Sequence, residues 1–234
     1  RIFRPSRHDV TRPTPVVLML HGGSGNAVSA IRTPCPTGDL RHPSCWHRVA
    51  EAEGFVVVYP EGTDFPAAPG RRTWNAGGGR DPWHCVSAGA CRAGVDDVRY
   101  FRELLDHLGR WMAVDPGAVF ATGLSNGGAM AHRLACELGD RVAAIAPVGG
   151  ANQYAALEPC NPAQPVAVLH IHGTEDPCWT YAETTRTCPG EVGLKVGARE
   201  STEGWAARNG CSGGPVASPE PDEDGDGLVA ELLS

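Results

Sequence analysis

The sequence is 234 residues long, 41% hydrophobic and 20% charged, which suits one α/β domain, spanning residues 1–234, with a substantial core. Its formal net charge of -7 argues against a nucleic-acid backbone as partner, and no apolar run approaches the length of a membrane span. Nine cysteines without a C-x-x-C pair argue against zinc ribbons and thioredoxin-type sites, and point instead to disulfides formed in an oxidising compartment.

Arg1 to Pro15 is polar and proline-containing and reads as an edge segment or loop. Val16-Val17-Leu18-Met19-Leu20 is a continuous apolar run whose length suits a strand buried on both faces. His21-Gly22-Gly23-Ser24-Gly25-Asn26 follows at once, and glycines at the end of a central strand let backbone approach a ligand closely. Ser44 to Glu53 has helical spacing and leads into a second buried strand, Phe55 to Pro60. Asp64 to Cys91 is rich in Gly and Pro and reads as a long loop; Trp74 and Trp83 within it suit the wall of an aromatic or sugar site. Val95 to Met112 repeats Val98, Phe101, Leu104, Leu105, Leu108, Trp111 and Met112 at three- and four-residue steps, the mark of an amphipathic helix.

The next stretch carries the chemistry. A β-prone run, Val119-Phe120-Ala121-Thr122, enters Gly123-Leu124-Ser125-Asn126-Gly127, and after Gly128 the helix-prone Ala129 to Ala135 follows. Strand, sharp turn and helix around Gly-x-Ser-x-Gly make a nucleophile elbow, with Ser125 as nucleophile. The helix start presents unpaired N–H groups where negative charge develops in acyl transfer, so the N–H groups of Asn126 and of Gly23 are the candidate oxyanion donors. Val142 to Val148 and Val166 to Ile171 read as further strands, the second ending in His172-Gly173-Thr174-Glu175-Asp176-Pro177. Strands alternating with helices imply a mostly parallel sheet, and Gly23, Ser125 and Asp176 all fall at strand carboxyl ends, where ligands bind. Asp176 is the candidate triad acid, with Glu175 as its neighbouring competitor. Nucleophile followed by acid is the order of an α/β-hydrolase.

The remaining elements are a helix over Val196 to Asn209, a loop over Cys211 to Pro221 and a terminal strand from Leu228 to Leu233. Asp222-Glu223-Asp224-Gly225-Asp226-Gly227 copies half of a calcium loop, but the closing Glu position holds Leu233, so it reads as a solvated acidic turn; no metal or cofactor is expected. Spacing pairs Cys35 with Cys45, Cys85 with Cys91 and Cys178 with Cys188; Cys136 with Cys160 makes a fourth pair, and Cys211 is left over. No histidine follows Asp176. His172 is close to it in sequence but restricted in its reach to Ser125, so the base is expected beyond Ser234.

These motifs resemble the secreted poly(3-hydroxybutyrate) depolymerase-like esterases, which include the feruloyl and acetylxylan esterases of carbohydrate esterase family one. The resemblance rests on Pro13 to Gly23, Val56 to Gly62, Trp74-Asn75-Ala76-Gly77, Val95-Asp96-Asp97-Val98, Gly123 to Ala131 and His170 to Pro177. It implies an α/β-hydrolase fold, with a mostly parallel sheet flanked by helices and incomplete at the C-terminus. It also implies Ser125 as nucleophile, Asp176 as acid, and a base in a Gly-Gly-Gly-His-Thr-Trp-Pro-like motif that this sequence lacks, so both ends read as clipped. The implied activity is hydrolysis of feruloyl or acetyl esters on plant polysaccharide, or of short polyhydroxyalkanoates, by a secreted or periplasmic monomer. The alternative is a non-catalytic homologue that binds polysaccharide or polyester through Trp74, Trp83 and Trp179.

Overall fold

The computed structural model describes residues 1–35, 38–65, 68–182, 185–186, 191–220 and 230–233. In chain order, β1 (Ile2–Phe3) and β2 (Thr14–Leu20) precede α1 (Ala27–Arg32) and α2 (Trp46–Glu53). Next come β3 (Val56–Val58), the hairpin strands β4 (Thr63–Phe65) and β5 (Ala68–Thr73), α3 (Gly89–Arg92) and α4 (Asp97–Leu108). The elbow joins β6 (Val114–Leu124) to α5 (Asn126–Glu137), and β7 (Ala144–Val148) and β8 (Ala167–Val168) follow. The chain finishes with β9 (Thr185–Arg186), β10 (Leu194–Lys195), α6 (Ala198–Arg208), β11 (Ala217–Glu220) and β12 (Ala230–Leu233).

Six strands form one sheet in the order β1-β3-β2-β6-β7-β8. β1 is antiparallel to β3 at one edge, as the edge reading of the first residues anticipates, and the other pairings are parallel. β2 lies at the centre, where its apolar run has no solvent face: Val16, Leu18 and Leu20 are fully buried on one side, and Met19 is buried on the other. The alternation separates two cores. Val16, Leu18 and Leu20 pack with Val56, Val58, Phe101, Leu105, Met130, Leu134 and Trp205, beneath α4, α5 and α6. Met19, Val57 and Tyr59 pack with Ala27, Ala30 and Ala50 of α1 and α2. Helices thus cover both faces of a mostly parallel sheet.

Two loop expectations are corrected. The Gly- and Pro-rich stretch from Asp64 to Cys91 contains the β4–β5 hairpin and α3. Its strand pattern is hidden because Ala68-Pro69-Gly70-Arg71-Arg72-Thr73 lacks apolar alternation, while Gly70 (φ 82°) lets the chain turn and donates its N–H to Asp64 Oδ1 at 2.9 Å. The segment from Cys211 to Pro221 contains β11, which pairs antiparallel with β12. Of the strand expected over Val166 to Ile171, the stretch beyond β8 is reduced to an isolated bridge between Val148 and Ile171.

Disulfides join Cys35 to Cys45, Cys85 to Cys91 and Cys136 to Cys160. Cys178 is also disulfide-bonded, whereas Cys188 lies outside the described residues. Cys211 is a free, exposed thiol. The acidic turn over Asp222 to Gly227 likewise lies outside the described residues. Among the described residues no helix is long and apolar enough to cross a membrane.

Candidate active site

Ser125 sits between β6 and α5 with φ 54° and ψ -116°, a left-handed backbone that side chains other than glycine adopt only under strain. Two bonds hold it there: its N–H donates to Val148 O on β7 at 2.8 Å, and its carbonyl accepts from Ala129 N at 2.9 Å. The flanking glycines are required by contact. A Cβ on Gly127 would lie 2.6 Å from the carbonyl oxygens of both Leu20 and His21, and one on Gly123 would lie 2.7 Å from the Gly127 carbonyl carbon. The bend can therefore close tightly against the end of β2, leaving Ser125 partly exposed at the carboxyl edge of the sheet.

The loop after β2 lies beside it. A Cβ on Gly22 would be 3.8 Å from Ser125 Cβ, and one on Gly23 would be 3.6 Å from Asn126 Cβ. Gly23 and Asn126 are thus brought together next to the serine, as two oxyanion donors must be. Their positions are fixed by side chains to which the sequence assigned no such task. Asn126 is fully buried; its Oδ1 accepts from Trp74 N at 2.7 Å and its Nδ2 donates to Trp74 O at 3.0 Å. The Trp74 indole N–H in turn donates to His21 O at 3.0 Å. His21 Nε2 accepts from Gly62 N at 3.0 Å, so the proton rests on Nδ1, which donates to Gly22 O at 2.8 Å. Burial lowers the pKa of His21, in keeping with a neutral ring that braces the glycine loop.

The expectation that Trp74 and Trp179 bind substrate, Trp74 as part of a wall with Trp83, is corrected. Trp74 is fully buried and Trp179 is 2% exposed, so neither offers a ring face to a ligand. Trp74 is turned inward because its N–H has a buried acceptor at His21 and its ring packs on Phe101 at 5.3 Å. Trp179 belongs to the same core and lies under Lys195 Nζ, 4.9 Å from its ring centroid. Trp83 is only partly buried and packs against that core.

Asp176 follows β8. Its Oδ1 accepts from Cys178 N at 2.8 Å and from Trp179 N at 2.9 Å, which fixes the carboxylate plane and leaves Oδ2 for another donor. Oδ2 faces the β7 end, 3.8 Å from where a Cβ on Gly149 would stand, and a Cβ on Gly150 would be 2.3 Å from Ser125 O. The Gly149-Gly150 pair therefore lies between acid and serine. Glu175 is exposed and has no comparable setting.

His172 is not presented to Ser125. Its ring is buried, Nε2 bonds Trp179 O at 2.6 Å and stands 3.6 Å from Asp176 Oδ2, while Nδ1 meets His170 Nε2 at 3.2 Å. His170 is pushed down to about 4 by burial and by the neighbouring His172. His132, fully buried behind them, is held well below the ordinary histidine range by burial and accepts from Trp205 Nε1 at 2.8 Å. Among the described residues no histidine hydrogen-bonds the Ser125 hydroxyl, and no group of three His, Cys, Asp or Glu side chains is placed to hold a metal ion.

No family model matches the chain. Feruloyl esterase B of Piromyces equi is 29% identical over 171 residues, 72% of this chain and 29% of that protein. A bifunctional acetylxylan esterase/xylanase of Neocallimastix patriciarum is 28% identical over 182 residues, 78% of this chain and 22% of that protein. The chain thus spans less than a third of the length of either relative. Among solved structures, native sOPH superposes with a TM-score of 0.56 at 18% identity, covering 88% of this chain and 70% of that one. By its sheet order, its strained elbow serine and these likenesses, the chain has the α/β-hydrolase fold and is similar in sequence to feruloyl and acetylxylan esterases.

Proposed function

We propose that this chain carries the active site of a secreted serine esterase. Ser125 Oγ attacks the ester carbonyl, the Gly23 and Asn126 N–H groups receive the oxyanion, the alcohol leaves, and water releases the acid from the acyl-enzyme. Asp176, with Oδ1 committed to backbone and Oδ2 open, orients the imidazole that takes the serine proton. The observation that carries the reading is Ser125 itself, held at φ 54° between strand and helix with the glycine loop alongside. The substrate class follows the relatives' names: feruloyl or acetyl esters on plant polysaccharide, with short polyhydroxyalkanoates as the polyester equivalent. Disulfides that close surface loops support an extracellular or periplasmic setting, and the working unit is a monomeric single domain.

Replacing Ser125 by Ala in the intact protein abolishes p-nitrophenyl acetate turnover, and a fluorophosphonate probe labels the wild type on Ser125 but not the variant. Turnover retained by Ser125→Ala refutes the assignment. A wild type that resists the probe is instead a passive binder, a reading that the buried Trp74 and Trp179 already weigh against.

A further inference from the structure

Four residues other than glycine have left-handed backbone among the described residues: Ser24 (φ 65°), Ser87 (φ 54°), Ala88 (φ 57°) and Ser125 (φ 54°). Strain of this kind persists only where surrounding structure holds it, and it gathers at functional sites. Ser125 is the candidate nucleophile, and Ser24 lies in the glycine loop beside it. Ser87 and Ala88 lie elsewhere in sequence, in the ring closed by Cys85 and Cys91, yet Ser87 reaches the same loop. A Cβ on Gly23 would stand 2.3 Å from Ser87 Oγ and 3.0 Å from Ser87 Cβ, as well as 3.6 Å from Asn126 Cβ. The serine hydroxyl therefore lies against the Gly23 α-carbon, on the side that Asn126 Cβ also approaches.

The loop holding Ser87 is braced from several sides. Ala88 N donates to Cys85 O at 3.0 Å, Gly89 N to Ser87 O at 2.8 Å, and Ala90 N to the buried Thr73 Oγ1 at 2.8 Å. A Cβ on Gly79 would meet both sulfurs of the disulfide at 3.2 and 3.3 Å, so the Gly-rich turn after Trp74 packs directly on the ring. Within this frame Ser87 is only partly buried, and its Oγ makes no hydrogen bond among the described residues. A rigidly placed hydroxyl with its proton uncommitted, against the α-carbon of Gly23, is a candidate third donor to the same charge.

We propose that Ser87 is a catalytic residue whose hydroxyl donates a hydrogen bond to the ester carbonyl oxygen as it becomes an oxyanion. As the Ser125 Oγ–carbon bond forms, the carbonyl π pair moves onto oxygen, and Ser87 Oγ–H joins Gly23 N–H and Asn126 N–H around it. When the pair returns, the carbon–alkoxide bond breaks and the alcohol departs. Ser87 keeps its own proton throughout. This assignment rests on the esterase reading, and it explains why a left-handed serine is retained where glycine would fit without strain.

The test compares Ser87→Ala with Ser87→Gly, using p-nitrophenyl acetate and Ser125→Ala as control. Both Ser87 variants lose the hydroxyl, but only glycine relieves the backbone. If the hydroxyl acts on the oxyanion, both lower kcat by about 10- to 100-fold with KM changed less than about threefold, although Ser87→Gly is at least as stable to urea as the wild type. Retention of wild-type kcat by either variant, while turnover still depends on Ser125, overturns the proposal and leaves the esterase reading standing. Wild-type turnover that survives Ser125→Ala overturns both.

Discussion

At Asp97 a carboxylate is held away from water yet tied to three segments of chain. It is 3% exposed, its Oδ2 accepts from Asn75 N at 2.7 Å, and Arg133 of α5, which donates to Asn75 O at 2.7 Å, supplies the nearby positive charge. Asn75 Nδ2 closes the group by donating to Val95 O at 2.8 Å. Desolvation outweighs the bond and the charge, and raises the Asp97 pKa from 3.8 to about 6. Because the folded state binds this proton more tightly than the unfolded one, the contribution of Asp97 to stability is highest below pH 4, falls as pH rises to 6 and stays low above it. The span corresponds to about 3 kcal/mol. Asp97→Asn keeps an acceptor for Asn75 N without the charge. Urea denaturation is expected to show the variant gaining on the wild type from pH 4 to pH 7, by up to about 3 kcal/mol. A difference that stays flat across that range contradicts the buried carboxylate.

Among the elements, α5 does most to place the site. It begins at the serine, buries Met130 and Leu134 in the core beneath the sheet, crosses the end of β2 through Gly127 and lies against Gly123 of β6 and Val148 of β7 through Gly128. Because a Cβ at Gly127 meets two backbone oxygens rather than a movable side chain, Gly127→Ala forces the helix off β2. The expected cost is about 3 kcal/mol or more, read as a lower urea midpoint, together with lost probe labelling of Ser125 as the elbow opens. A variant with the wild-type midpoint and full labelling would show that the helix can shift at no cost.

In the whole molecule, a covalent clamp ties the end of α5 to the segment between β7 and β8. Cys136 near the end of α5 is bonded to Cys160, 24 residues on, and both are nearly fully buried in the main core. Constraint of the unfolded chain over that length is worth about 2–4 kcal/mol. Replacing both cysteines by Ala is expected to lower the unfolding free energy by at least that much, measured by urea denaturation. An unchanged midpoint would mean the clamp adds nothing to the packing around it. The same long-range logic separates what was legible in the sequence from what was not. The apolar runs at β2, β3 and β7 and the period of α4 are local patterns, and all four lie where the sequence places them. The elbow was legible because its glycines answer a local backbone demand. Trp74 and Trp179 were misread as substrate-binding because a tryptophan in a loop-like stretch carries no local sign of which way its ring faces.

The sequence by itself determined the strand–helix alternation, the tight strand–turn–helix bend at Ser125, and the placing of Gly23 and Asp176 at strand ends, since each follows from periodicity or backbone geometry within a few residues. Only the tertiary structure decided that the Asn126 amide clamps Trp74 from 52 residues away, that His21 is a neutral brace, and that Ser87 rests against Gly23. Those contacts satisfy buried donors and acceptors, or fill space, between segments that are neighbours only once the sheet has formed. Which partner a polar group finds there is set by the packing of the whole chain and not by the residues beside it.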